Sequence, residues 1–499
     1  MSRARLAASE RAALREHLAR VAAEARRLGE PRLAAFRLSV PACDPLDLFA
    51  AAAGGERFFF EAPARGVALA AAGAVARVES EGPARFAEAG AAARALLGTL
   101  RVAGARGDRA DADTRAEVAP DAGRLAAEAE SARPPLPPEA GPLLVGGFAF
   151  DDATPRGAFA SFPALAFALP AVALTRRHGR AWCTLAARVA PGAEPEAVAR
   201  SLEARAAALL APRPRAATGE RAPRFGLAAD RSPEAFRGGV RRALAEIAAG
   251  ELEKVVLARA CTLTSPDGFD AARVLAALRR AQPRCTAYAV GRGDACFVGA
   301  TPECLLRLED SRLETGALAG SAPRGRTPRE DAAFAAALRE SKKEQAEHAV
   351  VRRAIEAALA PCCEAVEAPE APGLLRLEGI QHLATPIRAR LARRGPEDLF
   401  ALLARLHPTP AVSGAPREAA RAFLAAHEGL ARGWYAGGIG WMSPRGDGEI
   451  AVALRGALLR GRRATLAAGA GIVEGSDPDA ELAETTLKLR AVLGALVEL

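Results

Sequence analysis

Apolar and polar residues recur with two different periods along the chain, and these periods predict helices and strands respectively. In the segment SPEAFRGGVRRALAEIAAGE the apolar residues share one face of a helix. They are Phe236, Val240, Leu244 and Ile247. Ser232 as N-cap and Pro233 at the first helical position predict where this helix begins, and Gly250 predicts where it ends. The segment KVVLARACTLT follows directly and is typical of a strand.

The rest of the chain continues this alternation. Further helices are predicted at about 329–360, 396–405, 416–429 and 478–496. Strand-like runs in the C-terminal half are ACFVGA, RLETGALAG, GGIGWM, EIAVALRGALLR and ATLAAGAGIV. Those in the N-terminal half are ERFFFEAP, LLVGGFAFD, AFALPAVALT and AWCTLAARV. Many strands in succession, with helices between them, predict an α+β fold in which large, mainly antiparallel sheets are covered by helices.

Two polar stretches divide the chain. Residues 103–142 are rich in Ala, Asp, Glu and Arg and end in ARPPLPPEAGP, which predicts an extended or disordered low-complexity excursion. Residues 211–224 have a similar composition. We therefore expect an N-terminal part of the fold at residues 1–224, with the excursion at 103–142, and a second region at residues 225–499.

Composition narrows the class of protein and of partner. The chain has 499 residues, of which 50% are apolar and 25% charged, so we expect a globular protein. The net charge of +9 allows an anionic partner. The basic residues are scattered and only 5% of residues are aromatic, so we expect a small anionic substrate and no nucleic acid.

The cysteines and the N-terminus indicate a compartment. Eight cysteines occur without a Cys-x-x-Cys motif, so we expect reduced thiols in the cytoplasm. The first 29 residues form a charged amphipathic pattern without the apolar core of a signal peptide. The longest apolar run, GVALAAAGAVA at Gly66 to Ala76, is too short for a membrane helix, so no membrane association is expected.

Two Glu-x-x-Glu pairs are candidates for a metal site. In SKKEQAEHAVV, Ser341 and Glu344 fit a helix capping box, but Glu347 lies one turn before the apolar Val351 and is predicted to point toward the core. A carboxylate that enters a core needs a partner or a cation. The alternative is that both pairs lie on solvated helix faces.

The second pair, in ELAETTLKL, follows the same pattern. Glu481, Glu484 and Lys488 share one helical face beside an apolar stripe. Carboxylates from two helices, with oxygen donors only, suit Mg²⁺. Zinc is not expected because the sequence holds no cluster of Cys and His residues.

Three further features carry candidate chemistry. Lys254 is the first residue of an apolar strand. Its side chain either extends to the surface at the strand end or is desolvated and acts as a base. Glu303 in ATPECLLRLE is either a turn residue or a general acid held protonated by burial. Gly320 and Ser321 in GALAGSAPRG offer backbone N–H and a hydroxyl that suit a carboxylate, or they form a simple strand-to-loop turn.

Taken in order, these motifs resemble the chorismate-utilising enzymes and, within them, the isochorismate synthases of menaquinone or siderophore pathways. The motifs are KVVLAR, TPECLLR, LAGSAPRG, SKKEQAEH, IQHLATPI, LHPTPAVSG, GWYAGGIGW, VALRGA, AGAGIVEGS and ELAETTLKL. They cover about residues 230–499, which the resemblance identifies as a chorismate-binding catalytic region. The GGFAFD stretch extends a looser resemblance into the N-terminal half, and residues 103–142 match nothing in the family.

The resemblance implies a role for each matching residue. Lys254 matches the lysine that activates water, and Glu303 matches the general acid. Glu347 and Glu484 match the two Mg²⁺ ligands, with Glu344 and Glu481 reaching the ion directly or through water. Contacts to substrate carboxylates are implied for Gly320, Tyr435, Arg455, Gly469 and Lys488, and His382 is placed beside the pocket.

The implied reaction is the Mg²⁺-dependent, reversible isomerisation of chorismate to isochorismate. We expect a monomer, because the motifs complete one site within one chain. Ala319 stands where aminodeoxychorismate synthases carry a lysine, and anthranilate synthases generally lack a lysine at position 254. Salicylate synthases keep that lysine and add pyruvate elimination, but HPTPA, at His407 to Ala411, is more similar to isochorismate synthases. A non-catalytic binding protein would have lost an acidic or lysine position, and none of those that can be matched is lost.

Overall fold

Two large sheets covered by helices make up the protein. The computed structural model describes residues 6–105, 136–211, 224–392, 395 and 398–498. The helices in these residues are α1 (Ala8–Leu28), α2 (Pro45–Ala51), α3 (Arg85–Gly98), α4 (Pro195–Leu210), α5 (Pro233–Ala248), α6 (Ala271–Ala281), α7 (Pro328–Glu340), α8 (Lys342–Leu359), α9 (Asp398–Leu406), α10 (Arg417–His427) and α11 (Pro478–Val497).

The strands alternate with these helices along the whole chain. They are β1 (Arg32–Val40), β2 (Arg57–Ala62), β3 (Val67–Ala72), β4 (Ala76–Ser80), β5 (Leu100–Gly104), β6 (Leu144–Phe148), β7 (Leu165–Leu169), β8 (Val172–Arg177), β9 (Arg180–Val189), β10 (Gly226–Ala229), β11 (Lys254–Thr264), β12 (Thr286–Arg292), β13 (Ala295–Thr301), β14 (Cys304–Glu309), β15 (Arg312–Pro323), β16 (Cys363–Glu367), β17 (Gly373–Arg376), β18 (Ile380–Leu391), β19 (Gly414–Ala415), β20 (Gly438–Met442), β21 (Gly448–Val452), β22 (Gly456–Arg460) and β23 (Arg463–Ile472).

Strands from both halves of the chain pair within each sheet. The larger sheet has the order β10-β11-β23-β22-β13-β12-β2-β3-β8-β9-β1-β5, with β19 on β11. The smaller has the order β16-β18-β15-β14-β21-β20-β6-β7-β4, with β17 on β18. Within the described residues every strand pair is antiparallel except β1 with β5. This confirms the predicted α+β fold of large, mainly antiparallel sheets.

Strand β2 explains the uninterrupted apolar run in ERFFFEAP. Phe58 and Phe60 pack into a core shared by the two sheets, whereas Phe59 packs on the opposite face against helices that include α1, α2 and α6. Successive side chains of a strand point to opposite faces, so both faces of the larger sheet are buried here. A strand covered on both sides needs apolar residues at every position.

Local signals locate the predicted helices well, with one exception. The Ser232 hydroxyl accepts a hydrogen bond from Ala235 N (3.2 Å), so α5 begins where the sequence predicts. The single helix predicted at 329–360 is wrong, because two helices meet at Ser341. Ser341 has an extended backbone, and its Oγ caps α8 by accepting from Glu344 N at 3.3 Å.

The two predicted polar stretches are described only at their ends. Strand β5 ends at Gly104 and a short 3₁₀ turn spans Pro138–Ala140, while residues 106–135 of the predicted excursion lie outside the described residues. Most of the second stretch, residues 212–223, also lies outside them. None of the eight cysteines forms a disulfide, and in the described residues no helix combines the length and apolar character needed to span a membrane.

Candidate active site

Most of the predicted site residues line a single cavity. It encloses about 720 Å³ including its open mouth, which is within the ~300–1,000 Å³ of small-molecule sites. The predicted residues in its wall are Glu303, Gly320, Ser321, Glu347, His382, Tyr435, Arg455, Gly469 and Lys488. The other predicted residues, Lys254, Glu344, Glu481 and Glu484, are not in the wall but are linked to it through residues described below.

Lys254 is buried behind the wall and paired with a predicted metal ligand. Lys254 is the first residue of β11 and has no exposed surface. Its Nζ lies 2.9 Å from Glu347 Oε1, and the two groups form an ion pair without hydrogen-bond geometry. Burial would raise the pKa of Glu347, but the charges of Lys254 and Lys343 outweigh burial and lower it. A Cβ on Gly471 would lie 2.1 Å from Glu347 Oε1, so the glycine in β23 makes room for the pair.

Glu303 lies in the turn between β13 and β14. Its backbone N–H donates to Thr301 Oγ1 (3.3 Å) and its carbonyl accepts from Val452 N (2.9 Å), so the turn is fixed on both sides. Burial raises the pKa of Glu303 to about 7, against the opposing positive charges of Lys254, Lys488 and Arg455. Near neutral pH this carboxyl therefore holds a proton that it can release.

Glu344 and Glu481 hold one ammonium between them. Lys343 Nζ lies 3.0 Å from Glu344 Oε1 and 2.8 Å from Glu481 Oε1, which joins α8 to α11. Burial lowers the pKa of Lys343, but the charges of Glu481 and Glu344 outweigh this and raise it. The other oxygen of Glu344 accepts from Ser321 N at 2.9 Å. The backbone N–H that we expected to bind a substrate carboxylate is thus taken by a carboxylate of the protein.

Gly320 allows this contact. Its φ of +78° lies in the left-handed region, and the pairing of β15 with β18 shifts register around it. A Cβ at Gly320 would lie 3.0 Å from Glu344 Oε2. The capping-box interpretation of Glu344 is therefore half right: Ser341 caps α8, but the Glu344 carboxylate points to β15.

The last carboxylate, Glu484, is paired along its own helix. Lys488 Nζ lies 2.7 Å from Glu484 Oε1 and donates to the carbonyl of Gly469 at 2.9 Å. Gly469 is in β23, so Lys488 ties α11 to the strand beneath it. A Cβ at Gly469 would lie 3.0 Å from Val256 Cγ1 and 3.4 Å from the Tyr435 hydroxyl, which shows how closely this part of the wall is packed.

The donor set fits Mg²⁺ that is bound by a few carboxylates and otherwise by water and substrate. All four glutamates supply oxygen only, and each lies within ion-pair distance of a lysine ammonium. Among the described residues no three His, Cys, Asp or Glu side chains are grouped closely enough to hold a metal on their own. A small cation here would rely on few protein ligands, as is usual for Mg²⁺.

His382 and Arg455 form a rigid pair in the wall. Arg455 Nη2 lies 2.6 Å from His382 Nε2, and because arginine is a donor only, that ring nitrogen accepts. Nδ1 then carries the proton and faces Ser321 Oγ at 3.0 Å and the Gly320 carbonyl at 3.3 Å. Burial and the charge of Arg455 keep the pKa of His382 well below its ordinary value, so the ring is neutral.

Arg455 Nη1 is buried with no hydrogen-bond partner among the described residues, and a carboxylate in the cavity would supply one.

A buried ion pair that the sequence did not reveal supports the opposite wall. Arg432 donates to both oxygens of Glu428 at 2.6 Å, and to the carbonyls of Val412 and Val256 at 2.7 Å. Val412 and Val256 line the cavity, so Arg432 fixes two of its sides. Burial raises the pKa of the neighbouring Tyr435, which therefore keeps its proton and can donate to a substrate.

Three functional residues were missed in the sequence analysis: Lys343, Gly471 and Arg432. Lys343 directly precedes Glu344, and Gly471 is a glycine inside a predicted strand, which often marks close approach of another group. Lys343 lies in the motif SKKEQAEH and Gly471 in the motif AGAGIVEGS. For Arg432 the only local signal was its i, i+4 spacing from Glu428, because its other partners, the carbonyls of Val412 and Val256, lie in distant segments.

Comparison with known proteins matches this chain to one family. The family model described as "Chorismate binding enzyme" matches residues 17–111 and 106–497. The salicylate biosynthesis isochorismate synthase of Pseudomonas aeruginosa is 41% identical over 357 residues, which are 71% of this chain and 74% of that protein. The isochorismate synthase MenF of Bacillus subtilis is 35% identical over 357 residues, 71% of this chain and 75% of that protein.

A solved structure shows the same architecture over nearly the whole chain. The structure of MenF, the menaquinone-specific isochorismate synthase from Escherichia coli, matches with a TM-score of 0.72 and 26% identity. The match covers 96% of this chain and all of that one (100%).

Proposed function

The chain belongs to the family of chorismate binding enzymes, and from this premise we propose that it is an isochorismate synthase, an isomerase that converts chorismate reversibly to isochorismate. One observation carries the proposal. Glu303, with its pKa raised to about 7, lines the cavity, and Lys254, without exposed surface, lies behind its wall with Nζ 2.9 Å from Oε1 of the wall residue Glu347. A base and an acid are what the transfer of a hydroxyl between two carbons requires.

Substrate binding is assigned to the donors of the cavity wall. Chorismate is a dicarboxylate, and the free Nη1 of Arg455 would bind one of its carboxylates. Tyr435 adds a neutral hydroxyl donor, and His382 holds Arg455 in place. Gly320 and Gly469 are assigned to contacts with a substrate carboxylate, and at either position a side chain would crowd its protein neighbours.

We assign Mg²⁺ as the cofactor, held by Glu347 and Glu484, with Glu344 and Glu481 reaching it directly or through water. When bound, the ion neutralises the C1 carboxylate of the substrate and makes the conjugated ring a better acceptor. Glu347 is paired with Lys254 through Oε1 at 2.9 Å, so the residue that would hold the cation also contacts the proposed base. The all-oxygen donor set and the ammonium of Lys343 between Glu344 and Glu481 support this assignment.

The acid and the base act on different oxygen atoms. Water attacks C2 and gives a proton to the side chain of Lys254, which acts as the base, while the C4 hydroxyl takes the proton of Glu303 and leaves as water. The ring double bonds shift between these carbons, so one water enters, one leaves and nothing is oxidised. Each group contributes on the order of 10²–10⁴-fold. Exchange of protons with solvent then restores Lys254 and Glu303.

The alternative reactions of the family need groups that the cavity wall does not offer. Ala319 lies in the wall where a covalent mechanism would need a lysine. The wall next to the ring position is formed by Ala411, Val412 and Leu454. These apolar side chains supply no proton donor to guide elimination of pyruvate, which separates this proposal from a salicylate synthase. Isochorismate would feed either menaquinone or siderophore biosynthesis.

Product analysis tests the proposed function. Purified protein with Mg²⁺ should convert either chorismate or isochorismate to the same equilibrium mixture, measured by chromatography. Added ammonium should leave the products unchanged, and pyruvate should stay a minor product. Salicylate and pyruvate that accumulate as fast as chorismate is lost would contradict the proposal, as would anthranilate that forms only with ammonium.

A further inference from the structure

A second cavity lies behind the active-site wall. It is bounded by α8, by the end of α9 and by the segment that leads through β19 into α10, and its wall includes Ala354, Ile355, Ala358, Leu406, Pro410 and Arg417. Among the described residues, none lines both this cavity and the active-site cavity. The two spaces are separated by the segment 409–415, whose residues 411 and 412 face the active site.

The second cavity is nearly all carbon and is large enough for a ring. Its volume is about 160 Å³, or about 460 Å³ when the space at its mouth and along its wall is included. Engineered apolar cavities of ~150 Å³ stay dry and bind benzene. Filling such a space with an apolar ring restores contacts that its lining otherwise lacks.

Arg417 gives this apolar space one positive charge. It is the only charged residue among the described residues of the wall. Its Nη2 donates to the Arg405 carbonyl at 2.5 Å, and no carboxylate among the described residues lies within ion-pair distance of it. Burial lowers the pKa of Arg417 against the opposing charge of Glu418, and the charge of Arg421 lowers it further. A half-buried guanidinium without an acidic partner favours an anionic ligand.

A buried hydroxyl without a hydrogen-bond partner among the described residues lies in the same wall. Thr409 is 4% exposed, and its Oγ1 has no hydrogen-bond partner among the described residues. Buried hydroxyls are normally paired, and an unpaired one in a cavity wall calls for a partner.

From these features we propose that the second cavity is a binding site for a small aromatic carboxylate of about the size of benzoate. The ring fills the apolar space between α8 and the segment 409–417, and the carboxylate pairs with Arg417. The site is distinct from the active site, so its ligand and chorismate bind at the same time. It also adjoins the segment that carries β19, in which Ala415 pairs with Lys254 and Gly414 with Val255.

The binding of 4-fluorobenzoate, followed by ¹⁹F NMR, tests this proposal in the full-length protein. Binding should persist when chorismate is present at saturation. Arg417→Gln should weaken it by about tenfold or more, because a charge-assisted pair is lost. Arg421→Gln, one turn further along α10 and outside the wall, is the matched control and should leave the affinity unchanged. The neutral analogue 4-fluorobenzyl alcohol should bind the wild type and Arg417→Gln equally.

A cavity-filling variant locates the site independently of charge. Ala358→Leu places a larger side chain in the wall and should abolish binding of both probes while leaving the KM for chorismate unchanged; Ala354→Leu serves if the first variant does not fold. The proposal is overturned if the wild type binds no fluorobenzoate, if chorismate displaces it, or if the filled variants bind as well as wild type. The probes and variants do not require turnover, so failure of the proposed function would leave this result interpretable.

Discussion

The buried carboxyl of Glu303 leads to a prediction about stability as well as turnover. Burial raises its pKa from 4.5 to about 7. In the unfolded chain the carboxyl regains its ordinary pKa, so between these two values the unfolded state has released a proton that the folded state still holds. The stability that depends on protonated Glu303 is therefore fully present below about pH 4.5 and is lost as the pH rises through 7.

The size of the effect follows from the shift. At ~1.4 kcal/mol per pKa unit, the difference between 4.5 and about 7 corresponds to about 3 kcal/mol of stability lost above pH 7. Glu303→Gln keeps the shape of the protonated carboxyl but cannot ionise. We expect this variant to be more stable than wild type by up to about 3 kcal/mol at pH 8, and nearly equal to it at pH 4.5. Turnover should be lost, because glutamine cannot donate the proton.

Unfolding by urea and by heat at both pH values measures the difference. Glu340→Gln is the matched control, since Glu340 is exposed at the end of α7 and its substitution should change the midpoint little at either pH. Comparing variant with wild type cancels the titration of all other groups. A Glu303→Gln variant that is no more stable than wild type at pH 8 would refute the argument that burial holds this carboxyl protonated.

Three further predictions test the rest of the site. Glu347→Ala and Glu484→Ala should abolish Mg²⁺ binding measured by calorimetry with substrate present, and a chelator should remove activity until Mg²⁺ is restored; full activity in excess chelator would exclude the metal. Lys254→Met should fold and bind chorismate but lose on the order of 10²–10⁴-fold in turnover, and near-normal turnover would reduce the lysine to a structural role. Gly471→Ala should displace Glu347 and cost about 1–3 kcal/mol of stability together with Mg²⁺ affinity, because its Cβ would lie 2.1 Å from Oε1. The control Gly238→Ala, where no atom lies within 4 Å of the new Cβ, should leave both unchanged or slightly stabilise α5.

The sequence predicts most clearly what local interactions decide. Helix α5 is marked by Ser232, Pro233 and its apolar stripe, all within one segment, and it forms as predicted. The break at Ser341 was missed as a boundary of the long helix, although the Ser-x-x-Glu spacing that marks a helix start was present. The apolar periodicity continues across Ser341, and for this reason a single helix was predicted in spite of the capping signal.

The site is less predictable because its contacts join distant segments. Periodicity indicated that Glu347 turns inward, but not that Lys254, 93 positions earlier in the chain, pairs with it. The role of Arg432 depends on the carbonyls of Val256 and Val412, and carbonyl groups have no signature in a sequence. The residue roles came from family resemblance, whereas the spatial pairing of each lysine with its glutamate came from the structure.

The measurement that tests the central claim most directly is the fate of the oxygen atom. If Lys254 activates water for attack at C2, the reaction of chorismate in H₂¹⁸O with Mg²⁺ should give isochorismate that carries one ¹⁸O at C2, detected by mass spectrometry in the first turnovers. Recovered chorismate should gain the label at C4 only as the reverse reaction proceeds. Isochorismate formed without ¹⁸O would mean that the C4 hydroxyl itself moves to C2, and would contradict the proposed water attack.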